Sequence, residues 1–405
     1  MVPELSLFSI IMLLGAAHGL FLALALINTK GAGKAGHFYL ALLTVAFAID
    51  LGHEFLYQSH YLMNVLMLAY ADPVINLLYG PAFYLYTRVL TDQTEFRLNG
   101  RQWLHFLPIT AAVLICYLLP ELTSEQYASL LYVDGLAGSQ EVEVVASAIS
   151  SIATVAVVSI GVYLTLSIAR LVRHSRVIRQ QFSSIERITL NWLRNLLMAL
   201  SVLYLILILG GYFSWLFGSD ESVNQLLYLA IVAVIYAMGY MGLRQPAVFS
   251  GKGVDPGEHV STKLPQQAEL ETLPSNVIKP RVKYQTSALD AGMSAALRDE
   301  LAQHMAVEKT YLNNKLTLSQ LAEQLGISSN YLSQVINEQF EKNFFDYING
   351  LRVEEAKSLL TNPNRSDTSV LAIALDSGFN SKSSFYTAFN KIVGVTPSQY
   401  RKNSV

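Results

Sequence analysis

The sequence is poor in charged residues and nearly free of cysteine. Charged side chains make up 14% of its 405 residues, whereas a soluble domain usually carries about 25%. The charges are unevenly placed, thin before Arg244 and ordinary after Val254. The one cysteine, Cys116, excludes an intramolecular disulfide and a CxxC metal site. The scarcity of charge predicts a membrane half followed by a soluble half.

The hydrophobic residues, 52% of the chain, form seven apolar segments before Arg244. Most of these segments reach the about 20 residues that a helix needs to cross a bilayer. The third contains Asp72-Pro73 and Gly80-Pro81, which predicts a kinked helix. Because no basic residue precedes the first segment, we do not interpret it as a signal peptide. The segments are approximately 5–27, 38–57, 65–90, 103–119, 144–168, 192–217 and 225–243.

The basic residues between the apolar segments follow an alternating pattern. Lys and Arg follow segments one, three, five and seven, whereas the loops after segments two, four and six contain neither. Cytoplasmic loops of membrane proteins carry the excess of Lys and Arg. The pattern therefore predicts a multi-pass membrane protein with its N-terminus outside and its C-terminus in the cytoplasm.

Two groups of polar residues lie within segments two and three, at depths where ionised groups are costly. The members fall at i, i+3, i+4 and i+7 in segment two and at i, i+4 and i+7 in segment three, so each group occupies one helical face. If the two helices are neighbours, the groups line one pocket open to the outside. Three interpretations stand: mutual hydrogen bonding between helices, a pocket that senses a ligand or protons, and a metal or catalytic site. The residues are Asp50, His53, Glu54 and Tyr57, and Asp72, Asn76 and Tyr79.

Small residues and one histidine stand out in segment one. Gly15 and Gly19 form a GxxxG pattern, which favours close helix packing either across a dimer or within the bundle. His18, near the middle of the segment, is interpreted as a packing or hydrogen-bonding residue.

Residues 245–289 are predicted to be a linker, because five prolines interrupt them and no apolar periodicity survives. Helical periodicity returns from Asp290 to about Lys309, where Met293, Leu297, Leu301 and Met305 recur every four residues. This predicted helix either packs on the domain that follows or pairs with a second subunit in a homodimer.

Two stretches near the C-terminus share the layout of a helix-turn-helix. In the first motif Ala322 precedes Gly326 by four residues, and in the second Ala374 precedes Gly378 by four. Glycine suits the positive φ of such a turn, and the second helix of the motif enters the DNA major groove. The stretch 344–360 predicts a helix that holds the motifs apart, a spacing suited to successive major grooves about 34 Å apart. The apolar positions that indicate this helix are Phe344, Ile348, Leu351, Ala356 and Leu359.

The segment from about Leu316 to Tyr400 resembles the DNA-binding domain of the AraC/XylS family of bacterial transcription regulators. The resemblance is carried by LAEQLGIS, LRVEEAKSLL, IALDSGFNSKSSFYTAFNK and the closing GVTPSQYR. The first recognition helix departs from an ordinary DNA-reading surface because it lacks Arg and Lys, although Asn and Gln pair with adenine. By position, the resemblance implies base-reading roles for Asn330, Ser333 and Gln334 in the first motif and for Lys382, Ser383, Tyr386 and Thr387 in the second.

The charge of the C-terminal region is close to neutral. From Asp290 to Val405 there are 11 Lys and Arg against 12 Asp and Glu, a net charge of −1. Many DNA-binding domains are distinctly basic. The balance predicts few phosphate contacts, weak non-specific binding and a shallow salt dependence.

These patterns together predict an all-α protein. It comprises a seven-helix transmembrane bundle in residues 1–244, the linker 245–289, and a cytoplasmic tandem helix-turn-helix domain in residues 290–405. The predicted function is a regulator in the bacterial inner membrane that couples a small-molecule or proton signal to promoter binding, with double-stranded DNA and the lipid bilayer as partners. No residue set supports a reaction, so we predict no enzyme, cofactor or metal. The alternative is a transporter or membrane enzyme whose C-terminal domain binds a protein partner.

Overall fold

The structure, a computed structural model, divides the chain into two compact units. The N-terminal unit comprises Met1–His174 and Leu190–Gly253, and the C-terminal unit comprises Ser175–Thr189 and Val254–Val405. Residues 175–189 thus belong to the C-terminal unit although both flanking stretches of chain belong to the other. The structure describes residues 5–28, 34–65, 68–92, 100–132, 139–185, 188–217, 225–226, 228–234, 236–237 and 291–404.

The predicted linker, 245–289, lies outside the described residues, and so does part of the seventh apolar segment. The described residues of the N-terminal unit are mainly helical, and the helix α7 continues into the C-terminal unit at Ser175. The helices are α1 (Leu7–Asn28), α2 (Lys34–Gln58), α3 (Ala71–Asp92), α4 (Gly100–Trp103), α5 (Leu107–Leu118), α6 (Ser124–Tyr132), α7 (Gln140–Gln181) and α8 (Asn191–Phe217).

Four helices in the described part of the chain are long and apolar enough to cross a membrane. The sequence predicted seven such segments. The described residues therefore support several apolar helices but do not establish the number seven. The helix α3 covers most of the third segment but is not among these four helices. The candidate spans are Leu7–Asn28, Gly36–Gln58, Gly100–Leu118 and Gln140–Gln181, and a shorter apolar helix covers Asn191–Ile206.

The glycine pattern of α1 packs on α2 within the chain. A Cβ atom on Gly19 would lie 3.1 Å from the Cβ of Ala48, and one on Gly15 would lie 2.9 Å from the Cδ1 of Leu51. Side chains at these two positions would separate the helices. Of the two interpretations of the pattern, packing within the bundle is therefore the one that the structure supports. His18 stacks on the ring of Tyr236, with 4.1 Å between the ring centroids.

The helices α3 and α7 approach closely at Gly80. A Cβ atom there would lie 2.7 Å from the Tyr163 ring, so a larger residue would force the helices apart. Further along the pair, Arg170 of α7 forms an ion pair with Asp92 and donates a 2.7 Å hydrogen bond to Thr91. The end of α3 is thereby fixed to α7.

The described part of the C-terminal unit, from residue 291, contains seven α-helices. Five of them, α10 to α14, begin after a residue whose side chain accepts a hydrogen bond from the first-turn backbone, a cap that satisfies an otherwise unpaired N–H group. The caps are Thr317, Ser328, Asn343, Ser369 and Ser381. The helices are α9 (Ala291–Glu308), α10 (Leu318–Gln324), α11 (Ser329–Phe340), α12 (Phe344–Leu360), α13 (Val370–Asp376), α14 (Lys382–Val393) and α15 (Pro397–Ser404).

Two hydrophobic cores lie along α12. The first core takes Phe344 and Ile348 from α12, and the second takes Val353 and Ala356. Leu360 is buried at the end of this helix, while Leu359 is only partly buried. The first core belongs to α9, α10 and α11, and the second to α13 and α14. The helix α12 is thus the shared element of two small domains.

The helix α9 packs on the first core. Leu301 and Met305 are buried there with 0% and 2% of their surface exposed, whereas Met293 is 63% exposed. Of the two interpretations of this helix, packing on the domain that follows is the one observed.

Candidate functional site

The two turns of the C-terminal unit have the same backbone geometry. Gly326 and Gly378 adopt φ values of +64° and +86°, in the left-handed region that glycine enters at least cost. In each turn the N–H of the residue after glycine donates to the carbonyl of the alanine four residues before glycine, at 3.0 Å. The alanines, Ala322 and Ala374, are buried. The same type of helix C-cap, marked by the Ala-x3-Gly spacing, therefore ends the first helix of both motifs.

The second helix of each motif has one buried face and one polar face. In α11 the buried residues are Leu332, Val335 and Ile336, and in α14 they are Phe385 and Phe389, all at 0% exposure. The phenylalanine rings meet edge to face with 5.4 Å between centroids. Both recognition helices are consequently fixed to their cores, with their polar faces turned away.

The polar face of α11 carries the three predicted base-reading residues of the first motif. Asn330 and Gln334 are exposed, and Ser333 is half-buried. The Gln334 amide donates a 2.8 Å hydrogen bond to the carboxylate of Glu338. Glu338 is a residue that the family resemblance did not point to, although its spacing of four from Gln334 was a usable signal. A carboxylate in this place is suited to accept from the amino group of cytosine.

The polar face of α14 carries the four predicted base-reading residues of the second motif. Lys382, Ser383 and Thr387 are exposed, and Tyr386 is half-buried. The Nζ atom of Lys382 lies 5.4 Å from the centroid of the Tyr386 ring, and the Tyr386 hydroxyl lies 3.2 Å from that of Ser398. The tyrosine ring thus supports the lysine from one side.

Polar contacts to α12 join the two motifs. Lys391 of α14 forms a 2.9 Å ion pair with Asp346 at the start of α12. Burial alone would raise the pKa of Asp346, but the hydrogen bond and charge of Lys391 outweigh it and the pKa is lowered. On the other motif, Glu355 of α12 accepts from Lys309 and from the Tyr311 hydroxyl at 3.0 and 2.9 Å. These contacts attach each motif to the connecting helix α12.

The polar groups of the predicted second and third segments meet in the N-terminal unit. The helix α2 packs on α3, and the Asp50 side chain contacts those of Asp72 and Tyr79. Asp50 and Glu54 are 3% and 7% exposed. The predicted adjacency of the two groups is therefore present between Asp50 and Asp72.

The remaining members of these groups have local partners. Asn76 donates to Asp72 at 3.3 Å, whereas the Tyr57 hydroxyl donates to the backbone of Leu131 at 3.0 Å and so leaves the group. Among the described residues, the Oδ1 atom of Asp50 and the Nε2 atom of His53 are buried without a hydrogen-bond partner. The described residues contain no set of three or more His, Cys, Asp or Glu side chains arranged to hold a metal ion.

The C-terminal unit matches known regulators in sequence. Residues 321–403 match the family model described as "Helix-turn-helix domain". The melibiose operon regulatory protein of Escherichia coli is 37% identical over 89 residues, which cover 22% of this chain and 28% of that protein. An uncharacterized HTH-type transcriptional regulator of Staphylococcus aureus is 31% identical over 120 residues, covering 30% of this chain and 16% of its own length. The chain thus spans less than a third of either relative.

A solved structure matches the same region. The C-terminal domain of the two-component response regulator YesN from Fusobacterium nucleatum is 34% identical, with a TM-score of 0.22, and the match covers 26% of this chain and 98% of that one. Residues 321–403 therefore form a helix-turn-helix domain that is similar in sequence to parts of bacterial transcriptional regulators.

Proposed function

We propose that this protein is a membrane-embedded transcription regulator that couples a signal sensed by its N-terminal unit to sequence-specific promoter binding. The observation that carries the DNA-binding half is the tandem arrangement. Two recognition helices with buried apolar faces and exposed polar faces are fixed to one connecting helix, α12. This arrangement suits two successive major grooves.

Base reading is assigned to the polar faces of both recognition helices. In α11 the proposed readers are Asn330, Ser333 and Gln334, and the amides of Asn330 and Gln334 are suited to adenine. In α14 they are Lys382, Ser383, Tyr386 and Thr387, among which Lys382 is suited to guanine. With a net charge of −1 in residues 290–405, binding depends on these contacts more than on phosphate neutralisation.

The N-terminal unit is proposed to cross the bilayer seven times, with the N-terminus outside and the C-terminus in the cytoplasm. Four long apolar helices and a shorter one support a membrane location. The alternation of basic loops along the sequence supports the orientation, because Lys and Arg favour the cytoplasmic side. In a bacterial inner membrane, a chain with this orientation has its helix-turn-helix domain in the compartment that holds DNA.

The signal is proposed to act on the polar cluster formed by Asp50, His53, Glu54, Asp72 and Asn76. The buried Asp50 side chain and the half-buried Asp72 side chain are in contact, and two neighbouring carboxylates repel each other unless a proton or a cation lies between them. A cluster of this kind favours protons or a small cationic ligand as the signal.

The DNA-binding half is tested by selecting DNA from a random pool with purified full-length protein in detergent micelles. We expect enrichment of a site with two half-sites about one helical turn apart. A protein whose C-terminal domain served only protein partners would enrich no sequence above the starting pool.

The membrane half is tested by reporter fusions along the chain. Fusions after Arg101, Arg179 and Arg244 are expected to report the cytoplasm, and fusions near Ser59 and Leu130 the outside. An inverted result at Arg244 would remove the C-terminal domain from DNA and contradict the regulator.

A further inference from the structure

A buried arginine in the connecting helix is held by a distant part of the chain. Arg352 of α12 is 1% exposed, and its five N–H groups each meet an acceptor. The Nε atom donates to the carbonyl of Tyr311 at 2.7 Å, and the Nη1 and Nη2 atoms also donate to Asn349 and Asn313 at 3.3 and 2.9 Å. The two remaining N–H groups donate to the carbonyl and the hydroxyl of Ser183, at 3.0 and 3.1 Å.

Ser183 lies in the short connection between α7 and α8, and it pairs with the start of the first motif. Its N–H and its hydroxyl both donate to the carbonyl of Leu316, at 3.2 and 2.7 Å. The neighbouring Phe182 forms an antiparallel β-bridge with Thr317, the cap of α10. Ser183 is 1% exposed. The N–H, the carbonyl and the hydroxyl of Ser183 are therefore all hydrogen-bonded.

Residues that neighbour Ser183 in the chain reach α12 and the second motif. Arg179 lies over the ring of Phe345 at the start of α12, 5.6 Å from the centroid. Ser184 accepts a hydrogen bond from the side chain of Asn380, two residues before α14. Arg179 and residues 182–184, which together we name the docking segment, thus contact the first motif, the connecting helix and the second motif.

The two motifs otherwise have separate cores. Their relative orientation depends on α12 and on the contacts that bridge them, and the docking segment supplies several of these. Its contact at Asn380 lies before α14, and its contacts at Leu316 and Thr317 lie before α10, outside the recognition helices. The docking segment therefore contacts both helix-turn-helix motifs without involving the proposed base-reading residues.

We propose that the docking segment is the regulatory link of this protein: its binding to Arg352 holds the two helix-turn-helix motifs in the orientation that binds DNA, and its release weakens binding. The inference rests on the proposed DNA-binding function. The docking segment lies at the end of α7 and at the start of the connection to α8, so a movement of these helices is transmitted to the segment through the chain itself. The linker 245–289 is not required for this link.

Docking is tested by disulfide cross-linking in membranes. A full-length chain with Cys116→Ser, Ser184→Cys and Asn380→Cys, and with a protease site inserted near residue 265, is oxidised mildly and then cleaved. We expect the two fragments to stay joined on a non-reducing gel. The control protein carries Gln180→Cys, at an exposed position, in place of Ser184→Cys and keeps the other changes. Cross-linking no faster than in this control would overturn the proposal.

The functional link is tested by measuring DNA binding of the same proteins in micelles, on the site that the wild-type chain selects. We expect the oxidised Ser184→Cys/Asn380→Cys protein to bind at least as tightly as the wild type. Ser183→Pro, which removes the N–H donor and the hydroxyl, is expected to bind at least threefold more weakly. Ser183→Ala, a milder change that keeps the backbone, is expected to fall between, and Gln180→Ala to match the wild type.

Two failures are distinguishable in this experiment. If no form of the protein, wild type included, selects a DNA sequence, the proposed function is wrong. If wild type selects a site and both Ser183 variants bind it with wild-type affinity, DNA binding stands and the regulatory link is overturned. Circular dichroism and the membrane level of each variant show that weaker binding does not come from unfolding.

Discussion

At the scale of single residues, Lys382 makes the sharpest test of base reading. It is exposed at the start of α14 and lies over the Tyr386 ring. If it contacts guanine, Lys382→Ala should weaken binding to the selected site by about 1–3 kcal/mol and relax the preference at one base pair. Fluorescence anisotropy on the site and on its single-base variants measures both effects.

The matched control for this lysine is Lys402→Ala, because Lys402 is also exposed but lies on α15. A lysine that touches only phosphate would instead lower affinity on every sequence alike and reduce the salt slope by about one. Equal effects of the two substitutions would contradict a reading role for Lys382.

At the scale of the helix and turn, alanine variants of two glycines with similar φ values distinguish the cost of backbone strain from that of steric clash. Gly378 and Gly394 have φ values of +86° and +83°. A Cβ atom on Gly378 would lie 2.8 Å from the carbonyl oxygens of Tyr311 and Leu312, whereas none of the described atoms lies within 4 Å of one on Gly394. Both alanine variants enter a conformation that costs about 1–2 kcal/mol, and Gly378→Ala adds about 1–3 kcal/mol of overpacking.

The measurement is hydrogen exchange of the α13 and α14 amides in the full-length protein, which reports their opening free energy. We expect Gly378→Ala to lose protection much more than Gly394→Ala. Similar losses in both variants would mean that the second motif does not rest against residues 311 and 312 in solution.

The same elements show how far the sequence reaches. The Ala-x3-Gly spacing and the apolar periodicity predicted both motifs and the connecting helix, because helix periodicity and C-caps are local. The burial of Arg352 was not predicted. Its partner Ser183 lies 169 residues earlier in the chain, and no local pattern signals such a contact.

At the scale of the whole molecule, the polar cluster of the N-terminal unit decides what that unit does. Ionised groups at the depth proposed for Asp50, His53, Glu54 and Asp72 cost about 2.5–3.5 kcal/mol each, so they are retained for pairing or for sensing. The two roles differ in their variants. If pairing is the only role, Asp72→Asn and His53→Gln should reduce the amount of folded protein in the membrane and leave activity per molecule unchanged.

If the cluster senses the signal, the conservative variants Asp50→Asn, His53→Gln, Glu54→Gln and Asp72→Asn should reach the membrane at wild-type level. Their promoter output should then be fixed high or low, or respond at a shifted external pH, because each variant removes one titratable group from the cluster. Promoter activity against external pH and cationic ligands, with immunoblots of membrane fractions, measures both quantities. Tyr57→Phe is the control, since the Tyr57 hydroxyl donates to Leu131 outside the cluster. Wild-type responses in all four variants at normal protein level would exclude the cluster as the sensor and place the signal elsewhere in the chain.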